Sequence, residues 1–244
     1  MTNPLRIQQL MKLVDLTRLT DQDTAAAMQQ WLEQDLANAA VLPAAVCVYP
    51  EYLEQVNSFL QQRKLAVKLA TVVNFPSGAL PLAEVQEQIK AALAAGADEI
   101  DCVLPYQALL LGHTEQVRAF LAAVRQATAG VCLKIIIESG ELVTCQQISK
   151  AAELVVESGA DFVKSSTGKV KVGVTEEAAR IILAVIAASE RPVGFKASGG
   201  VRSVEFALKL VSLFEELTGE VATAQYMRLG ASALLNDLSQ QLDY

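Results

Sequence analysis

Eight times along the chain a short apolar run is followed by a longer segment whose apolar residues recur at helical spacing. Strands that alternate with helices in this way lie parallel, because a parallel pair needs a crossover and a helix is the compact way to make one. The runs are Leu13–Thr17, Ala44–Tyr49, Lys68–Phe75, Glu99–Leu104, Cys132–Glu138, a sixth that ends on Lys164, a seventh that ends on Lys196, and Tyr226–Gly230. Helices are predicted over about Asp23 to Ala39, Glu51 to Arg63, Leu82 to Ala95, Glu115 to Thr128, Thr144 to Ser158, a segment capped by Thr175, Val204 to Leu217, and a last one reaching about Leu242. Gly96 and Gly159 follow two of them as C′ glycines, and Thr175 and Ser203 precede two as N-caps.

Eight consecutive units in 244 residues match a closed (β/α)8 TIM barrel of about 250 residues. An open doubly wound sheet is the weaker alternative, since no G-x-G-x-x-G follows the first strand. No Pro/Gly/Ser-rich tract divides the chain, so residues 1–244 read as one α/β barrel domain with a short N-terminal extension and a C-terminal tail.

Composition limits what such a barrel works on. A net charge of -7 argues against nucleic acid or an anionic membrane as the main partner, so an anion must be bound locally. The N-terminus lacks the apolar core of a signal peptide and no run reaches membrane-spanning length without a charge, so a soluble cytoplasmic protein is expected. Cys47, Cys102, Cys132 and Cys145 form no C-x-x-C pair and read as reduced, mostly buried thiols. His113 is the only histidine, which removes a His-based triad or a His-rich metal cluster.

Two strands end on amines. Phe162-Val163-Lys164 runs into Ser165-Ser166-Thr167-Gly168-Lys169, and Gly194-Phe195-Lys196 into Ala197-Ser198-Gly199-Gly200. Desolvating an ammonium costs several kcal/mol unless it is paired or loses its proton. One such lysine could snorkel to solvent. Two, each before a glycine-rich turn, suggest a site.

An internal echo adds a carboxylate. Gly96-Ala97-Asp98-Glu99-Ile100-Asp101 and Gly159-Ala160-Asp161-Phe162-Val163-Lys164 give Asp101 and Lys164 equivalent slots. Equivalent slots mean one face and one height, and alternate strands build one barrel layer, so the carboxylate and amine should meet near the C-terminal mouth. The competing reading is a buried structural ion pair. A Schiff-base nucleophile needs a neutral amine, which an unperturbed lysine supplies in only about one molecule in a thousand near pH 7.4. Burial and a second cation lower that pKa, and Asp101 could carry protons. Physics alone leaves open which lysine attacks and which perturbs.

Asp15, Thr17, Cys47, Asn74 and Glu138 are further polar groups at strand ends, each also explicable as a cap, turn or core residue. The turns at Gly168-Lys169, Gly199-Gly200 and Gly230-Ala231-Ser232 have the character of a barrel phosphate site, with Lys169 and Ser232 as side-chain donors.

The motifs Val14-Asp15-Leu16-Thr17, Val46-Cys47-Val48-Tyr49-Pro50, Thr71-Val72-Val73-Asn74-Phe75-Pro76, Ile137-Glu138-Ser139-Gly140-Glu141-Leu142, the two lysine stretches, the Asp101 segment and Arg228-Leu229-Gly230-Ala231-Ser232, in that company, resemble the deoxyribose-phosphate aldolase family over nearly the whole chain. The resemblance implies a class I aldolase that reversibly cleaves 2-deoxy-D-ribose 5-phosphate to D-glyceraldehyde 3-phosphate and acetaldehyde, in deoxyribonucleotide catabolism, with no metal or other cofactor. It implies that Lys164 forms the Schiff base, that Lys196 perturbs it and that Asp101 is the acid/base. The expected substrate-binding set is Asp15, Thr17, Cys47, Thr167, Gly168, Lys169, Gly199, Gly200 and Ser232. Partners are a phosphosugar and an aldehyde, and a homodimer is left open. Ser139 and Ser165 stand where many relatives have threonine, and Ala233 where some have a second serine. Tyr244 ends the chain as a tyrosine does in relatives that use a mobile tail, with a frayed terminus as the competing reading. A phosphate-binding barrel that works without an imine, and a non-catalytic sugar-phosphate binder, are the rival functions.

Overall fold

The computed structural model describes residues 4–231 together with Leu234 and Leu238. The eight strands are β1 (Val14–Arg18), β2 (Ala45–Val48), β3 (Lys68–Val73), β4 (Glu99–Val103), β5 (Cys132–Ile136), β6 (Phe162–Lys164), β7 (Gly194–Ser198) and β8 (Met227–Ala231). They pair in sequence order, all parallel, and β8 closes on β1. The fold is the expected (β/α)8 barrel.

Its helices are α1 (Pro4–Leu13), α2 (Ala25–Trp31), α3 (Leu53–Arg63), α4 (Leu82–Ala94), α5 (Tyr106–Leu110), α6 (Thr114–Ala127), α7 (Cys145–Glu157), α8 (Glu176–Ala187) and α9 (Val204–Thr218). Local chemistry sets several of these ends. Thr175 accepts from the Ala178 amide and Ser203 from the Phe206 amide, while Thr144 and Gln147 form a reciprocal capping box. Gly96 and Gly159 adopt φ of 93° and 82°, the left-handed region that ends a helix at little cost in glycine.

Four elements depart from the sequence reading. The N-terminal extension is a helix, α1, whose buried Ile7, Leu10 and Met11 lie against α9 and β8. The helix expected from Asp23 to Ala39 is α2 followed by a π-helical turn over Leu32–Leu36. Strands three and five stop early, because Asn74 and Glu138 take φ of 54° and 53° and turn the chain out of the sheet. The expected last helix falls mostly outside the described residues.

Strand alternation sorts the side chains. Ile100 and Cys102 of β4 join the large apolar layer under the helices, whereas Asp101 between them faces the interior. That interior is divided. Ala45, Cys47, Ala70 and Val72 of β2 and β3 make a small apolar wall. The remaining strands contribute Asp15, Glu99, Asp101, Lys134, Lys164, Lys196 and Arg228, all buried, where barrels usually carry branched aliphatics. No helix among the described residues is long and apolar enough to cross a membrane.

If α1 is part of the core, Leu10→Ala removes a side chain only 1% exposed. We expect a stability loss of about 2–4 kcal/mol, read as a lower urea midpoint. A loss below about 0.5 kcal/mol would mean that the helix is an accessory.

Candidate active site

Asp101 is the centre of the buried charges. Its Oδ2 accepts hydrogen bonds from Lys164 Nζ at 2.8 Å and Lys196 Nζ at 2.7 Å, and its Oδ1 from Lys134 Nζ at 2.8 Å. The strands bring them together through register: Asp101 lies opposite Lys134, Lys164 opposite Lys196, and Lys196 opposite Arg228. A second tier braces the first. Lys134 also reaches Glu99 Oε2 at 2.5 Å, Lys196 lies 2.5 Å from Asp15 Oδ2, and Arg228 binds both Asp15 Oδ1 at 2.6 Å and Glu99 Oε1 at 2.9 Å.

With every group ionised, four cations (Lys134, Lys164, Lys196, Arg228) would face three carboxylates (Asp15, Glu99, Asp101) in this cluster. One surplus proton would sit in a dry interior, where unpaired charge is costly. The geometry decides which amine is most exposed to that cost. Burial pulls the pKa of Lys164 down; its single carboxylate, Asp101, pulls it up and neighbouring Lys196 pushes it down again, leaving it below the ordinary lysine value. Burial also acts on Lys196, but Asp101 and Asp15 together outweigh it and hold Lys196 above that value. Lys134 is likewise raised, by Asp101, Glu99 and Asp15 against its burial. Asp101 itself is buried, and three lysines still hold it well below the carboxylate range.

Lys164 is also the member of the cluster that lines a cavity at the mouth of the barrel, a space of about 560 Å³ shared with Thr17, Thr167, Gly168, Lys169, Gly199 and Gly200. The turns around it are fixed from behind. Buried Glu138 accepts from Ser166 Oγ at 2.6 Å, from Thr167 Oγ1, and from the Thr167 amide at 3.2 Å. Ser165 and Ser198 lace the ends of β6 and β7: Ser165 Oγ donates to the Ser198 carbonyl at 3.1 Å, and the Ser198 amide donates to Ser165 Oγ at 2.9 Å. At Gly199 the chain passes so close to Gly173 that a Cβ on either residue would overlap the other's backbone.

The expected residues separate into two levels. Thr17, Lys164, Thr167, Gly168, Lys169, Gly199 and Gly200 line the cavity. Asp101 and Lys196 lie beneath it, within hydrogen-bonding distance of one another and of Lys164 or its carboxylate partner. Asp15 and Cys47, expected to touch substrate, do not line the cavity: Asp15 is tied to Lys196 and Arg228, and Cys47 belongs to the apolar wall, where burial raises its thiol pKa. Lys169 lines the cavity while its ammonium is 3.0 Å from Asp21 Oδ1. Ser232, Ala233 and Tyr244 lie outside the described residues. The Ser165 hydroxyl has a structural use, whereas the buried Ser139 hydroxyl has no hydrogen-bond partner among the described residues.

Sequence reasoning missed Lys134, Glu99 and Arg228. Lys134 stands between Leu133 and Ile135 in an apolar strand, and Glu99 lies two residues before Asp101 and so on its face. A charge in mid-strand of a parallel sheet was the available signal. The cavity also takes Arg18 at the end of β1, Trp31 of α2, Asp35 of the π-helical turn, Ser198 at the end of β7 and Arg202 in the turn beyond it.

Comparison with known proteins places the chain in a family. The family model described as DeoC/LacD family aldolase matches residues 9–240. A candidate deoxyribose-phosphate aldolase from Coccidioides immitis is 28% identical, with 96% of this chain and 86% of that chain covered at a TM-score of 0.85. The deoxyribose phosphate aldolase from Aeropyrum pernix, described as a unique tetramer, is 25% identical, with 96% and 92% covered at a TM-score of 0.75. A further protein of this description, from Toxoplasma gondii, is 21% identical and shares the fold at a TM-score of 0.87, covering 98% and 96%.

The depressed carboxyls make stability acid-sensitive. In the unfolded chain Asp15 and Asp101 take up protons near their ordinary value of 3.8, but in the folded protein they do so only at lower pH. Their contribution is therefore complete above about pH 5 and is lost as pH falls towards the folded values. Urea midpoints should drop from about pH 5 to pH 3, and a flat profile over that window would contradict the assignment.

Proposed function

As the chain belongs to the DeoC/LacD family of aldolases, we propose that it is a class I aldolase acting on 2-deoxy-D-ribose 5-phosphate through an imine on Lys164. The observation that carries this reading is that Lys164 joins two properties: it lines the cavity, and its pKa is lowered while those of Lys134 and Lys196 are raised. A nucleophilic amine needs both access and a free lone pair.

In the cleavage direction Lys164 Nζ attacks the C1 aldehyde of the open-chain sugar and forms a carbinolamine. Loss of water gives the protonated imine. Removal of the C3 hydroxyl proton then breaks the C2–C3 bond, whose electrons pass into the iminium to form an enamine. D-Glyceraldehyde 3-phosphate leaves, C2 of the enamine takes a proton, and hydrolysis of the imine releases acetaldehyde and restores the amine. Asp101, 2.8 Å from Lys164 Nζ, is placed to pass protons at the carbinolamine and enamine stages, a role for which contributions of about 10²–10⁴-fold are usual. Lys196 stays cationic, held by Asp15 and Asp101, and its charge favours the neutral form of Lys164.

The substrate's phosphate is assigned to the glycine-rich turns that line the same cavity. Gly168, Lys169, Gly199 and Gly200 belong to that lining, with Ser232 as the donor that the motif would add. Breakdown of deoxyribonucleotides is the pathway that such a substrate implies, and an acidic chain with four free cysteines suits the cytoplasm.

Borohydride added with acetaldehyde should reduce the imine to a stable adduct, which peptide mapping would place on Lys164. Lys164→Arg should give no adduct and lose at least about 10³-fold in kcat, since arginine stays protonated. An adduct on another lysine, or turnover that survives the substitution, would overturn the reading.

A further inference from the structure

We propose that Asp21 sets how strongly this site holds a phosphate, because its carboxylate and the phosphate of the substrate compete for the ammonium of Lys169. The inference rests on the reading of the cavity as the site of a phosphorylated sugar.

Lys169 sits where the cavity would receive the phosphate, beside Gly168, Gly199 and Gly200, yet its ammonium is already engaged. Lys169 Nζ donates to Asp21 Oδ1 at 3.0 Å, and the same oxygen accepts from the Tyr49 hydroxyl at 2.7 Å. The ammonium also lies 5.7 Å from the centroid of the Tyr49 ring. Asp21 follows β1, Tyr49 follows β2 and Lys169 follows β6, so three strand ends are joined at the mouth of the barrel. The loop that carries Asp21 is anchored on its other side. Arg18 grips Asp23 at 2.6 and 2.5 Å with its guanidinium over the Trp31 ring, which keeps Asp21 within reach of Lys169.

The exchange is energetically easy. The Asp21 side chain is 77% exposed, and a solvent-exposed ion pair shifts an equilibrium by only about two- to fivefold. A phosphate brings up to two charges and three acceptor oxygens to the same ammonium, and the glycine-rich turns add backbone donors that Asp21 lacks. With a phosphorylated sugar, Lys169 turns from Asp21 to the phosphate. With an unphosphorylated one it stays on Asp21, and no uncompensated cation faces the neutral ligand. Asp21 therefore narrows the preference for phosphorylated substrates.

Calorimetry of the full chain with inorganic phosphate tests this. At low salt Asp21→Asn should bind phosphate about two- to fivefold more tightly than the natural chain, and the gain should shrink at about 0.5 M salt as screening shortens. The gain should vanish when Lys169→Met is added, and the ratio of kcat/KM for deoxyribose 5-phosphate over deoxyribose should rise in Asp21→Asn by the same factor. Equal or weaker phosphate binding by Asp21→Asn overturns the proposal, as does a gain that survives Lys169→Met. If the natural chain binds no phosphate, the proposal falls together with the phosphate half of the functional reading. Imine trapping with acetaldehyde, which needs no phosphate, would separate that result from a failure of the Schiff-base mechanism.

Discussion

Asp101 holds three ammonium groups within 2.8 Å of its two oxygens, in the interior of a barrel, and the rest of the site is arranged to make that tolerable. A carboxylate removed from water survives only when paired, and breaking such a pair costs about 3–5 kcal/mol. Asp101 is paired to excess. The surplus positive charge is trimmed by Asp15 and Glu99, which draw Lys196, Lys134 and Arg228 towards themselves. Lys164 has only the shared Asp101, and on that asymmetry the distinction between two otherwise similar strand-end lysines depends.

The barrel makes the asymmetry possible because its strands sort side chains by parity and depth. Outward residues of β4 to β8 pack under the helices and hold the strands in register. Inward residues of the same strands carry charge, while β2 and β3 supply small apolar groups, Ala45, Cys47, Ala70 and Val72. The charged cluster thus has a low-dielectric wall on one side, which strengthens each pairing and raises the cost of the unpaired proton. Above it, Glu138 and the Ser165–Ser198 lacing fix the turns that border the cavity.

Much of this was legible in the sequence. The order of eight units fixed the architecture, since hydrophobic period and cap residues are local signals. The Gly-Ala-Asp echo puts Asp101 and Lys164 on one face at one height, because equal spacing from a helix end gives equal height on a strand, and the two side chains do meet at 2.8 Å. Depth was not legible. Asp15 and Cys47 share a face with the site residues but lie below the cavity, since the tilt and stagger of strands around a barrel set their height. No glycine-rich turn marks Lys134, because such turns signal strand ends and its charge stands in mid-strand. The segment that forms α1 resembles a bare extension in the sequence, although Ile7, Leu10 and Met11 carry its apolar stripe. Asp21 had no motif at all, and only the folded chain brings it to Lys169, 148 positions away.

A buried cluster with one cation too many lowers the pKa of Lys164 and of no other lysine in it. Titration of the lysine side chains by nitrogen-15 NMR, with each resonance assigned by substitution, measures this directly. Lys164 should titrate below the ordinary lysine value of about 10.4, while Lys134 and Lys196 remain protonated beyond it. A Lys164 ammonium that titrates at or above that value, or a lower pKa found on Lys196 instead, would contradict the account.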